Sequence, residues 1–224
     1  MVFCCFSKEE LTDAEKEKVM SGSSIHKSLI TVEGTRTFSK SLTSSTGGKC
    51  CLVTPFVLCG FPACQTRKRY LEVMEGGMKD YSCCQGYCGN DCCIPKCQGS
   101  SFGLCLEGCL CPVLSLSITR IAVMNRLSIS PDPVDFQIIR TSNCLQLMAA
   151  ACQCVACIIS LTVGGEAGDI ARCTAWSCQG VADCFTASVG GCMCVQINEE
   201  LSIFERGGDT GGSVPVAKAE AMER

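Results

Sequence analysis

The stretch Ser130-Pro131-Asp132-Pro133, with the uncharged run Leu145–Val163 and the pair Gly164-Gly165 behind it, decides the fold. Aspartate accepts hydrogen bonds from the free amides at a helix start, and proline is favoured at the first helical position because it has no amide hydrogen. The pattern predicts a helix over about 134–162, a break at the two glycines, and a second helix over about 166–200. The two helices form a long hairpin.

Small residues recur every four positions along the second predicted helix. They are Gly180, Cys184, Ser188 and Cys192. Residues at this spacing lie near one helix face, and small side chains there let two helix backbones approach closely. We expect this stripe to form the seam of the hairpin, opposite Cys144, Met148 and Ala151. The favoured interpretation is ordinary tight packing, in which the thiols act as small hydrophobic groups.

The rest of the chain is arranged around this hairpin. A shorter helix over about 114–127 precedes it, and the glycines and prolines of residues 81–112 predict an irregular, turn-rich knot. Residues 31–48 are rich in Ser, Thr and Gly and are expected to be a linker. The predicted divisions are a polar lead-in over 1–49, an apolar cysteine segment over 50–69, a cysteine-rich core over 70–206 and a tail over 207–224. The expected fold class is mainly α, an irregular cysteine-rich knot packed on a long helical hairpin, with disordered tails.

Cysteine accounts for 24 of the 224 residues, a share that indicates a disulfide scaffold in a short secreted chain. The first residues, however, lead from Met1 into Lys8, Glu9 and Glu10 without the apolar stretch of a signal peptide. We therefore expect an intracellular protein with reduced thiols. The net charge of −3 offers no basic face for nucleic acid.

Nine cysteines between residues 83 and 111 are the candidate metal ligands. They are Cys83, Cys84, Cys88, Cys92, Cys93, Cys97, Cys105, Cys109 and Cys111. Zinc is held by four thiolates in tetrahedral sites, so the set could supply two zinc sites. The spacings are mostly C-x3-C and C-x-C, whereas zinc knuckles use C-x2-C. Copper(I), an iron–sulfur cluster, buried thiols and disulfides are the alternatives.

A second group of thiols, Cys152, Cys154 and Cys157, falls in the first helix of the hairpin. On a helix, positions 152 and 154 diverge by about 200°, so they cannot share one ligand face. A metal site there would need Cys173 or Cys178 from the other helix. Packing is the favoured interpretation, because free cysteine is among the most buried residue types.

Catalysis has little support in the sequence. The single histidine, His26, falls in the polar lead-in, away from the cysteine clusters, which argues against a Cys–His nucleophile pair. Glu107, Asp169 and Asp183 lie in apolar stretches, where carboxylates more often serve as capping or hydrogen-bonding groups than as general acids. A non-enzymatic protein is expected.

Two apolar stretches suggest contact with a membrane. Cys50–Cys64 carries no charge and is followed by Arg67-Lys68-Arg69, a pattern that suits an interfacial or re-entrant segment at an anionic surface. Leu145–Val163 is 19 residues long without a charge, but Gln146 and Gln153 interrupt it. Because its partner helix carries Asp183, a buried soluble hairpin is slightly favoured over a spanning pair.

The first 30 residues, from Met1-Val2-Phe3-Cys4-Cys5 to Ile30, resemble the amino-terminal helix of heterotrimeric G-protein alpha subunits, a segment that is acylated and membrane-bound. The second position here is Val2, and myristoylation requires glycine. The resemblance therefore implies thioester-linked palmitoylation at Cys4 and Cys5.

A second resemblance covers about residues 70–200. Its motifs are Tyr81-x-Cys-Cys-Gln-Gly-Tyr87, Cys105-Leu-Glu-x-Cys-x-Cys-Pro112, Ser117-x-x-Arg120, Asp132-Pro-x-Asp135 through Gln146, and Ala182-Asp-Cys184 through Met193. They look similar to a cysteine-rich family of unassigned function in plants, algae and protists. That family is in turn distantly similar to the placenta-specific-8-like, plant cadmium-resistance and cell-number-regulator proteins. The resemblance implies membrane association and a link to metal handling.

Three hypotheses follow. The first is a non-enzymatic cysteine-rich protein at the cytoplasmic face of a membrane, with thiolate zinc binding. The second is a structural subunit of a cytoplasmic assembly, such as a homo-oligomer, with packed thiols and no metal. The third is a metal transporter or channel, which would need polar groups facing a pore.

The cysteine count predicts that residues 83–111 bind about one or two zinc ions through thiolates. Native mass spectrometry of anaerobically purified protein should show the added mass, and chelation should remove helical or tertiary signal. A metal-free protein whose circular-dichroism spectrum does not respond to chelator would rule out this site.

Overall fold

The computed structural model describes Phe3 and residues 36–83, 98–130 and 132–207. Over these residues the protein is helical, with no strand beyond an isolated bridge between Arg36 and Ile129. The helices are α1 (Gly48–Val57), α2 (Phe61–Met74), α3 (Ser101–Leu110), α4 (Pro112–Leu127), α5 (Pro133–Thr162) and α6 (Gly165–Glu205), with a 3-10 turn at Met78–Asp80. The predicted mainly α class, with a long helical hairpin, is confirmed.

The hairpin begins and turns where the sequence places it. Asp132 is the N-cap of α5 and its side chain accepts a hydrogen bond from the Val134 amide, 2.8 Å away, with Pro133 at the first helical position. The turn at Gly164 and Gly165 has φ angles of 62° and 57°, a left-handed conformation that glycine adopts without strain. Helix α6 ends at Glu205, one turn later than expected.

The seam of the hairpin differs from the predicted stripe. Gly180, Cys184 and Ser188 are exposed, and so are Cys144, Met148 and Ala151 on α5. The buried residues that line the seam are instead spaced seven apart. They are Ser142, Ala149 and Ala156 on α5 and Gly168, Ala175 and Ala182 on α6.

The helical repeat explains why the prediction of the seam was wrong. Each residue advances about 100° around a helix, so a step of four overshoots one turn by about 40°, and three steps rotate the stripe by about 120°. A step of seven falls only about 20° short of two turns and stays on the partner. The predicted stripe therefore winds away from α5, and Cys192 at its end is buried against α1.

Part of the predicted knot is also helical. Residues 84–97 lie outside the described residues, but Ser101–Leu110 forms α3, with the Ser100 hydroxyl accepting a hydrogen bond from the Gly103 amide as its N-cap. Pro112 does not disrupt this helix, because it is the first residue of α4. The glycines in α3 permit close packing: Gly103 and Gly108 are both buried.

Residues 36–47 form an ordered strap over the core, so the prediction of a linker is wrong for this part of 31–48. Phe38 and Leu42 are buried, and the Ser130 amide donates a 2.7 Å hydrogen bond to the Arg36 carbonyl. The strap also binds α6, where Glu200 accepts a hydrogen bond from the Ser39 amide and pairs with Arg36 at 3.0 Å. A composition rich in Ser and Thr does not reveal these bonds, because backbone amides and the Arg36 guanidinium make them.

One buried carboxylate joins the strap to three helices. Asp135 on α5 accepts hydrogen bonds from the Leu42 amide, Arg120 on α4 and Gln196 on α6, each at 2.8 Å. Arg120 also donates to Gln196 at 3.1 Å and lies 4.9 Å from the centre of the Phe38 ring. Burial lowers the pKa of Arg120 to about 10, against the attraction of Asp135, so the guanidinium remains charged at neutral pH. The charge inside the core is thereby paired.

Asp135→Asn should lower the free energy of unfolding by about 3–5 kcal/mol, because it leaves the buried Arg120 charge without a counter-ion. Asp132→Asn is the matched control, since it makes the same change three residues away at a cap where asparagine serves equally well. Denaturant unfolding of both variants measures the difference. Equal stability of the two would contradict the central role of Asp135.

The corrected seam makes a second prediction. Ala182→Leu should overpack the contact between α5 and α6 and lower the free energy of unfolding by about 1–3 kcal/mol. Cys184→Leu, two residues further along α6 on its exposed side, should change it by less than about 0.5 kcal/mol. If thermal melts show the reverse order, the stripe predicted from the sequence is the true seam.

Candidate functional site: an apolar helical hairpin and paired thiols

The outer surface of the hairpin is apolar. Leu147 is 70% exposed, Ile158 60% and Leu161 82%, although each is a large hydrophobic side chain. Further exposed apolar residues continue this surface. They are Met148 and Val155 on α5, Val163 directly after it, and Ile170, Trp176 and Val181 on α6. An apolar surface of this extent on a soluble chain normally marks a contact with a membrane or another protein.

The inside of the hairpin is polar and hydrogen-bonded. The Gln146 amide donates to Asp183 and to the Thr186 hydroxyl, both at 2.9 Å, and Gln179 donates to Asp183 at 2.9 Å. The hydroxyls of Ser142 and Thr186 are 3.0 Å apart. Asp183 therefore lies in the seam with two amide donors.

The ladder of polar contacts extends towards the turn. Gln153 donates to the Ala175 carbonyl at 3.4 Å, and Ser160 donates to the Gly168 carbonyl at 3.3 Å. The residues that interrupt the apolar run in the sequence thus face the partner helix. This arrangement, polar inside and apolar outside, is the reverse of a soluble helix pair and suits a surrounding of lipid.

Length and composition agree with this arrangement. In the described part of the chain, α5 and α6 are each long and apolar enough to cross a membrane. The most apolar stretch of α5 is only 17% buried within the protein, whereas that of α6 is 61% buried. Helices α3 and α4 would together make a third apolar stretch, but they are bent by 116°.

The apolar segment 50–64 folds into a corner between α1 and α2. The chain turns at Gly60, whose φ of 80° is left-handed, and Leu52, Phe56 and Phe61 around the corner are more than half exposed. On its inner side α1 packs closely on α6, where a Cβ at Gly191 would lie 2.6 Å from the Thr54 hydroxyl. The corner adds a second exposed apolar surface.

The basic triplet behind this corner does not form a free basic patch. Arg67 is 1% exposed, pairs with Glu107 at 3.5 Å and donates to the Ser82 carbonyl. Arg69 pairs with Glu205 at 2.7 Å. The expectation that the triplet faces an anionic surface is therefore wrong for Arg67, which is buried, while Arg69 is half-buried in its ion pair.

The acidic residues in apolar stretches serve as hydrogen-bond and ion-pair partners. Glu107 accepts a hydrogen bond from the Tyr81 hydroxyl at 2.9 Å and pairs with Arg67. Asp169 pairs with Arg172 one turn along α6, close to the turn of the hairpin. The interpretation of these carboxylates as hydrogen-bonding groups is confirmed.

The structure describes only some of the predicted metal ligands. Cys84, Cys88, Cys92, Cys93 and Cys97 lie outside the described residues, as do Cys4, Cys5 and His26. Cys83 is disulfide-bonded, and Cys105, Cys109 and Cys111 are exposed on α3 and just after it. Among the described residues, no group of three or more Cys, His, Asp or Glu is placed to hold a metal ion. Zinc binding stays a prediction that depends on residues 84–97.

The structure instead brings thiols together in pairs, each joining two helices. The sulfur atoms of Cys50 and Cys192 are 2.9 Å apart, and those of Cys64 and Cys105 are 3.1 Å apart. A third pair, Cys152 and Cys178, lies across the hairpin. The partners are far apart along the chain, so nothing in the local spacing could have indicated the first two pairs.

The environments of the first two pairs differ. Cys50 and Cys192 are each 5% exposed, between α1 and α6. Cys105 is exposed and Cys64 is half-buried, between α3 and α2. Burial, together with the hydrogen bond to Cys105, raises the pKa of Cys64 to about 12, so this side chain is a protonated thiol at neutral pH.

The fold and surface together define an α-helical protein with an apolar hairpin and paired thiols. Comparison of the chain with models of protein families, with curated proteins and with solved structures gave no match.

Proposed function

We propose that the protein is a non-enzymatic, cysteine-rich membrane protein whose hairpin, over about 145–184, is inserted in a lipid bilayer. The observation that carries this proposal is the distribution of polarity on the hairpin. Its large apolar side chains point outward, and its amide, hydroxyl and carboxylate groups bond to one another in the seam.

The dimensions of the hairpin support insertion. The uncharged run Leu145–Val163 spans about 28 Å at the rise of an α-helix. The hydrocarbon core of a bilayer is about 30 Å thick. Opposite this run, Asp183 is bonded by two amides, and Asp169 and Arg172 neutralise each other near the turn. Each charge on the inserted part therefore has a partner within the protein, except for Glu166, which is exposed beside the turn.

A hairpin topology leaves both of its ends on one side of the membrane. The strap and helices α1 to α4 then lie together on that side, with most of the thiols of the chain. We assign this side to the cytoplasm, where thiols are kept reduced, because every described cysteine except the disulfide-bonded Cys83 is free. Zinc binding by residues 83–111 belongs to the same proposal, with ligands other than Cys83, and is tested by the metal analysis above.

The second hypothesis, a subunit of a cytoplasmic assembly, is favoured by one observation. The ion pair of Asp169 and Arg172 is exposed close to the turn, at the end of the hairpin that would have to cross the bilayer. In an assembly, a protein partner would cover the apolar face and water would reach this ion pair. The following experiment separates the two hypotheses.

Val155→Arg should prevent stable insertion, because an arginine near the centre of a spanning helix costs about 2.5–3.5 kcal/mol. Gln137→Arg is the matched control: both residues are exposed, and position 137 lies five helical turns away on the same face of α5, outside the uncharged run. Alkaline carbonate extraction of membranes should release Val155→Arg and retain both the control and the wild type.

The exposed thiols Cys154 and Cys157 provide a second readout in the wild-type chain. In intact membranes both should resist a water-soluble maleimide and react once detergent is added. Release of the wild-type chain by carbonate, with both thiols labelled in the absence of detergent, would refute insertion and favour the assembly.

A further inference from the structure

Helices α2 and α3 approach each other at the level of their backbones. A Cβ at Gly60 would lie 2.0 Å from the Gly108 carbonyl oxygen, and a Cβ at Gly108 would lie 3.2 Å from the Cys64 Cβ. Glycine is required at position 60, and a larger residue at position 108 would force its neighbours to shift by a few tenths of an ångström. The approach brings the sulfur atoms of Cys64 and Cys105 to 3.1 Å.

This distance leaves two products to compare, a bond between the two sulfurs and a metal ion shared by them. A disulfide needs the sulfurs to close to about 2.05 Å, a movement of about 1 Å that side-chain rotation can supply. Two thiolates on one zinc ion, each about 2.3 Å from it in tetrahedral geometry, would lie about 3.8 Å apart, so the distance alone does not separate the two products. The described residues offer no third ligand in position for a metal ion, and this favours the bond between the sulfurs.

We propose that Cys64 and Cys105 form a redox-active dithiol, which a small hydroperoxide converts to a disulfide that joins α2 to α3. The exposed Cys105 is the first nucleophile and the half-buried Cys64 the second. The buried pair of Cys50 and Cys192, with a similar sulfur–sulfur distance, stays reduced in the native fold because the oxidant does not reach it.

The reaction balances as follows. The Cys105 sulfur attacks one peroxide oxygen, the O–O bond breaks, and the leaving oxygen takes the thiol proton to form water or an alcohol, leaving a sulfenic acid on Cys105. The Cys64 sulfur then attacks the Cys105 sulfur, the S–O bond breaks, and the departing hydroxide takes the Cys64 proton as water. Two thiols lose two electrons in total, and the peroxide gains them.

A disulfide between Cys64 and Cys105 would affect the segment between them and the predicted zinc ligands. The bond would close a loop between residues 41 positions apart, and this loop contains Cys83 and residues 84–97. It would also remove Cys105 from the set of thiolates predicted to bind zinc. Oxidation and metal binding in this region are therefore expected to exclude each other at Cys105.

The test uses the full-length chain, reduced, freed of reductant and exposed to a small molar excess of hydrogen peroxide. After alkylation, tandem mass spectrometry should show a Cys64–Cys105 crosslink before any other new disulfide. Cys50 and Cys192 should remain thiols that alkylate only after unfolding. Oxidation of the buried pair at the same rate, or free Cys64 and Cys105 after treatment, would overturn the proposal.

Three variants assign the roles. Cys64→Ser should lose the crosslink and accumulate a sulfenic acid on Cys105, which dimedone traps. Cys105→Ser should lose both products, and Cys109→Ser, a change at a neighbouring exposed thiol, should keep the crosslink. A crosslink from Cys105 to Cys109 in the wild type, or protection of Cys105 that a chelator removes, would show a different partner or a metal and refute the dithiol.

Discussion

The carboxylate of Asp135 is the point at which the parts of the core are joined. It lies near the start of α5 and accepts hydrogen bonds from a backbone amide of the strap, a guanidinium of α4 and a side-chain amide of α6. A buried carboxylate and a buried guanidinium are stable only when both are paired and their remaining hydrogen-bonding groups have partners. The requirement fixes how α4, α6 and the strap approach the base of the hairpin, and hence the direction in which the hairpin leaves the core.

The parts of the fold that local chemistry decides could be predicted from the sequence. Asp132 and Pro133 begin a helix because of their own donors and dihedral angles, and Gly164 and Gly165 end one for the same reason. The strap could not be predicted, since its order depends on carboxylates about 90 to 160 residues away, at Asp135 and Glu200. The seam could not be predicted either. Small residues recur along α6 both every four and every seven positions, and the sequence does not show which of the two sets contacts α5.

The candidate site likewise has features that the sequence predicts and features that it does not. The apolar run Leu145–Val163 is visible in the sequence as a possible span. Gln146, Gln153 and Asp183 count against a span in a linear profile, but the structure shows them facing the partner helix, where they bond to each other and to the backbone. The pairing of thiols is beyond sequence analysis, because it depends on how α1 and α2 cross α6 and α3. Gly190 and Gly191 of α6 set the first crossing, and Gly60 and Gly108 set the second.

The strap also has a consequence for the order of events during synthesis. The amides of Ser39 and Leu42 emerge from the ribosome long before Asp135 and Glu200, which accept their hydrogen bonds, and the Phe3 backbone is bonded to Asn143 in the same way. Contacts between segments this distant form late, because the intervening chain must be ordered first. The amino-terminal segment therefore waits, unpaired, until the base of the hairpin has been translated and folded. Throughout that interval it is accessible to chaperones, proteases and modifying enzymes.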